Sequence, residues 1–312
     1  MGILGAPDVD WSIGLEGGRM DAAPGGVLRA QIGLRAREGL DARRVMAAFV
    51  GTEEYAYQEV ERERGSRSTR RAWDTNELAK HEIQLLGPTR LAAGEARTLP
   101  VEFQVPPNVL PSLESGVLRV RWKLAAWIDV GGRDPQVEQV VIVPLIAAAL
   151  PSMASLGTAE QVQLVAGGQP AGFWAQPAPL RAGQPFSGAV DVTTPLDLGN
   201  TRIELKLRVA TLSGSGPGVA SVAGDTVLAG LGWSTTSRQA VTEEQTLWRG
   251  ALAEAAPVSG WRRYTFAGQL PLAPIVTAVF PHGAASAMLD VIVSRRLRPD
   301  EHITRPVAIV TG

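Results

Sequence analysis

Between Leu99 and Val130 the chain reads LPVEFQVPPNVLPSLESGVLRVRWKLAAWIDV. An alternating segment ends at Val105, a stretch holding Pro106, Pro107 and Pro111 follows, and a longer alternating segment begins near Gly116. In that longer segment Leu118, Val120, Trp122 and Leu124 fall on one side, and Arg119, Arg121 and Lys123 on the other. Successive side chains of a strand point to opposite faces, so the pattern predicts a sheet with one buried and one wet face. Residues 264–293, YTFAGQLPLAPIVTAVFPHGAASAMLDVIV, repeat the theme. Tyr264 and Phe266 mark a strand, Leu270-Pro271 a turn, and a later strand sets Leu289, Val291 and Val293 opposite Met288, Asp290 and Ile292. A unit that occurs twice predicts a duplicated β-sandwich.

The rest of the chain carries the same signature. Apolar runs are short, alternate with polar residues and stop at Gly, Pro, Asn or Asp, and few segments keep a helical period beyond about ten residues. Strands are expected near residues 9–15, 27–37, 44–50, 53–62, 81–87, 97–105, 116–129 and 136–145, enough for one sandwich. A second set is expected near 162–166, 172–175, 184–194, 201–211, 226–237, 240–250, 262–270, 275–281, 285–297 and 303–310. The segment TRIELKLRVAT alternates most cleanly. Residues 147–160, AAALPSMASLGTAE, lose the alternation. The expected organisation is therefore an N-terminal sandwich at 1–148, a linker at 149–160 and a C-terminal sandwich at 161–312, a length that suits two cores. The halves match at offsets of about 160 residues, a domain repeat and not a solenoid. Gly- and Ser-rich residues 213–225 read as a mobile loop.

Composition excludes several classes of function. The net charge is −1, so no global field draws in nucleic acid. Cysteine is absent, which removes disulfides, thiolate catalysis and cysteine-ligated metal centres. That fits a reducing compartment, and a cytoplasmic location is expected. The start, MGILGAPDVDWS, has no basic region and apolar core of a signal peptide, and Ala6 stands where a myristoylation motif needs Ser or Thr. The longest apolar stretch, 140–150, contains Pro144 and falls short of the roughly 20 residues of a spanning helix, so no integral membrane segment is expected. Lysine occurs only at Lys80, Lys123 and Lys206, a bias that fits a GC-rich bacterial genome.

The quoted motifs resemble arrestin-like proteins. In the N-terminal domain of that family an F-x-F-x-[LV]-P strand leads through a Pro-rich turn to an alternating strand. Here these are Val101-Glu102-Phe103-Gln104-Val105-Pro106, then Leu110-Pro111-Ser112-Leu113, then Leu118 to Ala125. The opening strand of the second domain resembles Phe186-Ser187-Gly188 with Val190 and Val192, and its later strand Tyr264-Thr265-Phe266 with Leu270-Pro271. The resemblance spans nearly the whole chain and implies an all-β fold of two tandem immunoglobulin-like sandwiches of arrestin type. The clan includes retromer-type sorting subunits and a bacterial sporulation-control family, and the composition leans to that prokaryotic side. No counterpart of the charged polar core of receptor-regulating arrestins can be placed, so no phosphate-sensing role is carried over.

Chemistry-bearing residues are sparse. The three histidines, His81, His282 and His302, have no nucleophile motif beside them; Gly214-Ser215-Gly216-Pro217-Gly218 is low-complexity sequence, not a nucleophile elbow. His282 and His302 flank Asp290 and Asp300, and Asp8 and Asp10 lie near the start, but none forms a compact ligand loop. No strand-to-helix G-x-G-x-x-G unit is present. The expectation is no catalytic, cofactor or metal site, and no enzyme. The sharpest charge feature is ERERGSRSTRRAW at 61–73. Arg62, Arg64, Arg67, Arg70, Arg71 and Trp73 are candidate partner-binding residues, because guanidinium forks grip carboxylates or phosphates. The bland reading is a solvated hairpin tip or sheet edge whose charges deter sheet-to-sheet aggregation, with Glu61 and Glu63 neutralising part of the cluster. A second charged patch, Arg295-Arg296-Leu297-Arg298-Pro299-Asp300-Glu301, could reach the domain interface, and its bland reading is a polar turn with internal salt bridges.

The expected function is a non-enzymatic scaffold or adaptor that binds other proteins through sheet edges and a concave interdomain surface, with room for weak self-association. The alternative is a carbohydrate- or ligand-binding module built on tryptophan platforms. Of the eight tryptophans, Trp73, Trp174 and Trp233 have the weakest core patterning and are the candidates for exposure.

Overall fold

The computed structural model describes residues 8–18, 21–63, 66–131, 134–145, 163–164, 172–212, 235–294 and 299–311. The expected linker at 149–160 and loop at 213–225 lie outside them, as do Arg295 to Arg298 and Trp233. In chain order the strands are β1 Val9–Leu15, β2 Val27–Ala36, β3 Leu40–Ala42, β4 Arg44–Glu63, β5 Ser66–Leu86, β6 Thr89–Leu91, β7 Ala96–Gln104 and β8 Leu113–Glu114. They continue with β9 Leu118–Asp129, β10 Gln136–Val141, β11 Gln163–Leu164, β12 Gly172–Gln176, β13 Leu180–Arg181, β14 Pro185–Val192, β15 Thr201–Thr211 and β16 Thr235–Gln239. The last are β17 Thr242–Gly250, β18 Ala253–Val258, β19 Trp261–Gln269, β20 Ala278–Phe280, β21 Gly283–Val293, β22 Glu301–Val307 and β23 Ile309–Val310. A single 3-10 turn at Glu16–Gly18 is the only helical element among the described residues, none of which forms a helix long and apolar enough to cross a membrane. The fold is all-β, two tandem sandwiches built almost entirely from antiparallel sheets.

The chain divides into two compact units. The first holds residues 1–53, 75–112 and 120–144; the second holds 54–74, 113–119 and 145–312. Residues 54–74 and 113–119 thus group with the second unit, although their place in the sequence is within the first half.

In the first unit the sheet β1-β2-β7 lies over strands of β10-β9-β4. Phe49 of β4 stacks on Trp122 of β9 with ring centroids 4.9 Å apart, and meets Phe103 of β7 at 6.2 Å. Leu118, Val120, Trp122 and Leu124 are all buried, as their alternation requires, and the Trp122 indole N–H donates to the Leu110 carbonyl at 2.9 Å. Burying such rings is the main favourable term for a sandwich core.

In the second unit the sheet β11-β22-β21-β15-β17 faces β12-β14-β19-β18. Ile203, Leu205, Leu207 and Val209 of β15 point inward beside Leu289 and Val291 of β21. Trp248 of β17 reaches Phe186 and Phe266 of the opposite sheet, at 5.0 and 6.3 Å. The β21 strand departs from one expectation. Asp290 and Ile292, assigned to its wet face, are 2% and 1% exposed. β21 is a central strand, and Lys206 of β15 and His302 of β22 reach Asp290 on that face.

The repeat is visible in the pairing. β1-β2-β7 corresponds to β12-β14-β19, and β10-β9-β4-β5 corresponds to β22-β21-β15-β17. β8 pairs with β9 as β20 pairs with β21, so the opening motif and its echo occupy the same place in each copy.

Candidate functional site

Of the six candidate residues, Arg62 lies on the strand β4 and Arg67, Arg70, Arg71 and Trp73 on the strand β5. β4 and β5 are 20 and 21 residues long, against a usual range of about 3–10. The expected break at Gly51-Thr52 is absent because Gly51 answers a packing need: a Cβ there would lie 2.5 Å from the Trp122 ring. A glycine inside a strand often marks such a close approach. Past Gly51, GTEEYAYQEVERE keeps strand alternation, and SRSTRRAWDTNELAKHEIQLL runs from Ser66 to Leu86 without Gly or Pro. That uninterrupted stretch is the signal from which β5 was legible.

β4 pairs with β9, then with β16 at Gln58–Arg62, and with β5 as its hairpin partner. Among the described residues β5 pairs only with β4, so its far side is an open edge. Alternation along β5 sorts the candidates. Arg67, Arg71 and Trp73 share one exposed face, and Arg70 points to the other. Arg70 donates to Glu59 at 2.5 Å, and this hydrogen bond, followed by the Glu59 charge, holds its guanidinium above the ordinary value. Arg71 donates to the Gly116 carbonyl and lies 5.5 Å from the Trp73 ring centroid. Arg119 covers the same ring at 4.6 Å and pairs with Glu114 at 3.1 Å and Glu54 at 3.6 Å. Arg64 and the side chain of Arg62 lie outside the described residues. The structure therefore brings Arg71 and Trp73 together, turns Arg70 away from them, and sets Arg67 at the far end of their face.

Residues not singled out from the sequence complete the neighbourhood. The Gly116 N–H donates to Glu243 at 2.7 Å, so both backbone groups of Gly116 are held by charged side chains, and a Cβ would meet that carboxylate at 2.5 Å. On the opposite face Tyr55 stacks on His282 at 4.1 Å with planes 4° apart, and its hydroxyl donates to Asp74 at 3.4 Å. Arg238 pairs with Asp74 at 3.2 Å and covers Tyr57 at 4.2 Å. These contacts join sequence positions up to 227 residues apart, from Tyr55 to His282, which no local pattern encodes.

Other edges are short or interrupted, which protects them from pairing. β17 carries a register shift against β15 between Leu205 and Lys206. β18 contains Pro257 and a shift between Ala255 and Val258, β7 contains Pro100, and β22 contains Pro306. β10 and β12 have six and five residues. β5 contains no Gly or Pro, and charged residues recur along it.

The remaining candidates separate. His81 is exposed on β5, His282 stacks on Tyr55, and the His302 Nδ1 lies 3.0 Å from both Asp290 oxygens. Asp8 and Asp10 bind Arg37 at 3.2 and 2.6 Å, and the hydrogen bond from Arg37 is the main reason the Asp10 carboxyl sits below its usual value. No group of three or more His, Asp or Glu suited to a metal occurs among the described residues. Trp73 is 40% exposed, but guanidinium groups occupy its surroundings, and Trp174 is half-buried, so neither offers the bare platform that sugar stacking uses.

The class defined by this architecture is an all-β protein of tandem antiparallel sandwiches, with one long edge strand unpaired on its far side among the described residues. No family model matches the chain, and no curated protein matches it in sequence. Among solved structures it is similar to Spo0M, the sporulation control protein from Bacillus subtilis, with 15% identity and a TM-score of 0.34 over 78% of this chain and 91% of that one.

Proposed function

We propose that the chain is a non-enzymatic, arrestin-like scaffold that binds other proteins by strand addition to the open edge of β5. One observation carries this reading: a 21-residue edge strand without Gly, Pro or a partner on its far side among the described residues. Main-chain hydrogen bonds along such an edge supply affinity, and side chains on alternate positions supply selectivity. On β5 the selective positions are Arg67, Arg71 and Trp73, with Trp73 held by two guanidinium groups so that little rotamer freedom is lost on binding. Arginine and tryptophan are the residue types that most often dominate protein interfaces.

Adjacent prolines test it. Ser68 and Thr69 direct their backbone N–H groups to opposite sides of β5, one toward β4 and one toward the open edge. Of Ser68→Pro and Thr69→Pro, one is expected to lower the thermal midpoint by breaking the ladder, and the other to leave it unchanged. In affinity capture from the native cell, the variant with the unchanged midpoint should lose its partners by about tenfold or more. If that variant keeps every partner the wild type enriches, the edge is not the binding site.

A further inference from the structure

The segment Gln176-Pro177-Ala178-Pro179-Leu180 leaves the end of β12 and runs into β13. Residues 177–180 of this segment, Ala175 of β12, Arg305, Pro306 and Val307 of β22 and the following Ala308 line a partly open pocket of about 230 Å³ in the second unit. Typical small-molecule sites hold about 300–1,000 Å³, so the pocket suits one apolar side chain and its attached group more than a larger ligand. Among the described residues its walls are apolar except at Arg305, and none of them is acidic.

Arg305 is oddly placed for an arginine. Its register partner across the ladder is Leu289, a fully buried core residue, and directly opposite residues share a face. The guanidinium stem therefore enters on the inner face of the sheet, half-buried, where β22 would otherwise present an aliphatic residue. Arg305 makes no hydrogen bond or ion pair among the described residues. Withdrawing a cation from water without a partner is costly, and a carboxylate beside it would relieve that cost through two parallel hydrogen bonds. An inward charge also discourages edge pairing. That role alone requires no pocket, whereas here proline rings form one around it.

Among the described residues β12 pairs only with β14, and β22 is paired on its outer side only at Ile303 and Thr304, by β11, so both walls end on strands with an edge unpaired among those residues. An entering chain can thus leave the pocket along a free edge, which an isolated small acid has no use for.

We propose that this pocket receives the C-terminal residue of a partner chain, its apolar side chain between Pro177, Pro179 and Val307 and its free carboxylate on Arg305. Arginine supplies the positive charge, the prolines exclude water, and the absence of acid in the lining favours an anion. The inference is independent of the β5 edge, so failure of one leaves the other standing.

Titration calorimetry with acetylated tetrapeptides ending in valine, leucine or phenylalanine, each as free acid and as C-terminal amide, tests it. At least one acid is expected to bind, with its amide about tenfold to about a hundredfold weaker. Arg305→Gln should bring the acid to the level of the amide while the unfolding midpoint stays in place. Val307→Trp, which fills the pocket and keeps the arginine, should abolish binding of both. Equal binding of acid and amide, an unchanged ratio in Arg305→Gln, or no binding by any of the six peptides would overturn the proposal. So would acetyl-leucine binding as tightly as the tetrapeptide, because the pocket would then serve a free small acid.

Discussion

Two antiparallel strand pairs hold the same position in the repeated topology and differ in length and support. β4 and β5 in the first copy correspond to β15 and β17 in the second. The first pair runs for 20 and 21 residues and ends in an edge that is unpaired among the described residues; the second runs for 11 and 9, and its edge strand is bulged at Leu247. A bulge raises local twist and spoils the edge as a template, which is how sheets avoid unwanted pairing. The copies also differ in what supports them. β4 is buried on both faces from Val45 to Val50, whereas the outer face of β15 carries Arg202, Glu204, Lys206 and Arg208. One pair is anchored by apolar packing and extended outward; the other is kept short and closed by charge.

The largest expected effect tests the apolar anchor. Trp122→Ala empties a site that is 1% exposed and leaves Phe49 without its stacking partner, and should cost about 4 kcal/mol. Trp248→Ala, at the half-buried tryptophan of the second pair, should cost about 2 kcal/mol. Urea unfolding of both variants checks the pair, and equal losses would remove the distinction between the two anchors.

The charged face of the second pair comes next. Glu204 is buried, which by itself would raise its pKa, yet the hydrogen bond from Arg202 and the charges of Arg249, Lys206 and Arg202 outweigh that and hold the carboxyl below its ordinary value of 4.5. Lys206 is held above its ordinary value of 10.5: burial pulls it down, and the hydrogen bond and charge of Asp290 prevail. For Glu204 the folded pKa lies below the unfolded one, so the unfolded chain binds more protons as the pH drops through this interval. Its contribution is present above about pH 4.5 and is lost as the pH falls through the folded value. Glu204→Gln should cost about 2 kcal/mol at pH 7, a figure tempered by the exposure of Arg202 and Arg249, and should flatten the fall in thermal midpoint below pH 4.5. A variant with an unaltered acid limb would show that the network adds nothing.

The smallest effect separates two glycines. An alanine at Gly51 of β4 would press its Cβ into the fixed Trp122 ring and should cost about 2 kcal/mol. At Gly250 of β17 the Cβ meets Trp248, whose half-exposed ring has room to yield, and about 1 kcal/mol is expected. Chemical denaturation of the two alanine variants decides whether the second anchor is in fact the softer one.

Much of the architecture was readable from particular residues. The alternation of Leu118 to Leu124 and of Ile203 to Val209 gave correct buried faces, because a two-residue period has only one way to face a core. Other features misled or stayed silent. Gly51 read as a break, since a glycine at a turn and a glycine under a tryptophan ring look alike in sequence. β18 was not expected, although Ser259-Gly260, with φ of 52° and 81°, makes the two-residue turn that joins it to β19. Asp290 read as solvent-facing, and its burial depends on Lys206 and His302 from neighbouring strands.

Sequence alone determined that this chain is a β protein made of two similar copies, because alternation and Pro- or Gly-marked turns act over a few residues. It also determined that arginines and Trp73 cluster within residues 62–73. Only the tertiary structure decided that the cluster lies along an open strand, that Arg71 and Arg119 flank Trp73, and that Arg305 enters a pocket without a partner among the described residues. Those outcomes depend on which distant strands pair, and pairing is fixed by the packing of whole sheets, not by any short stretch of residues.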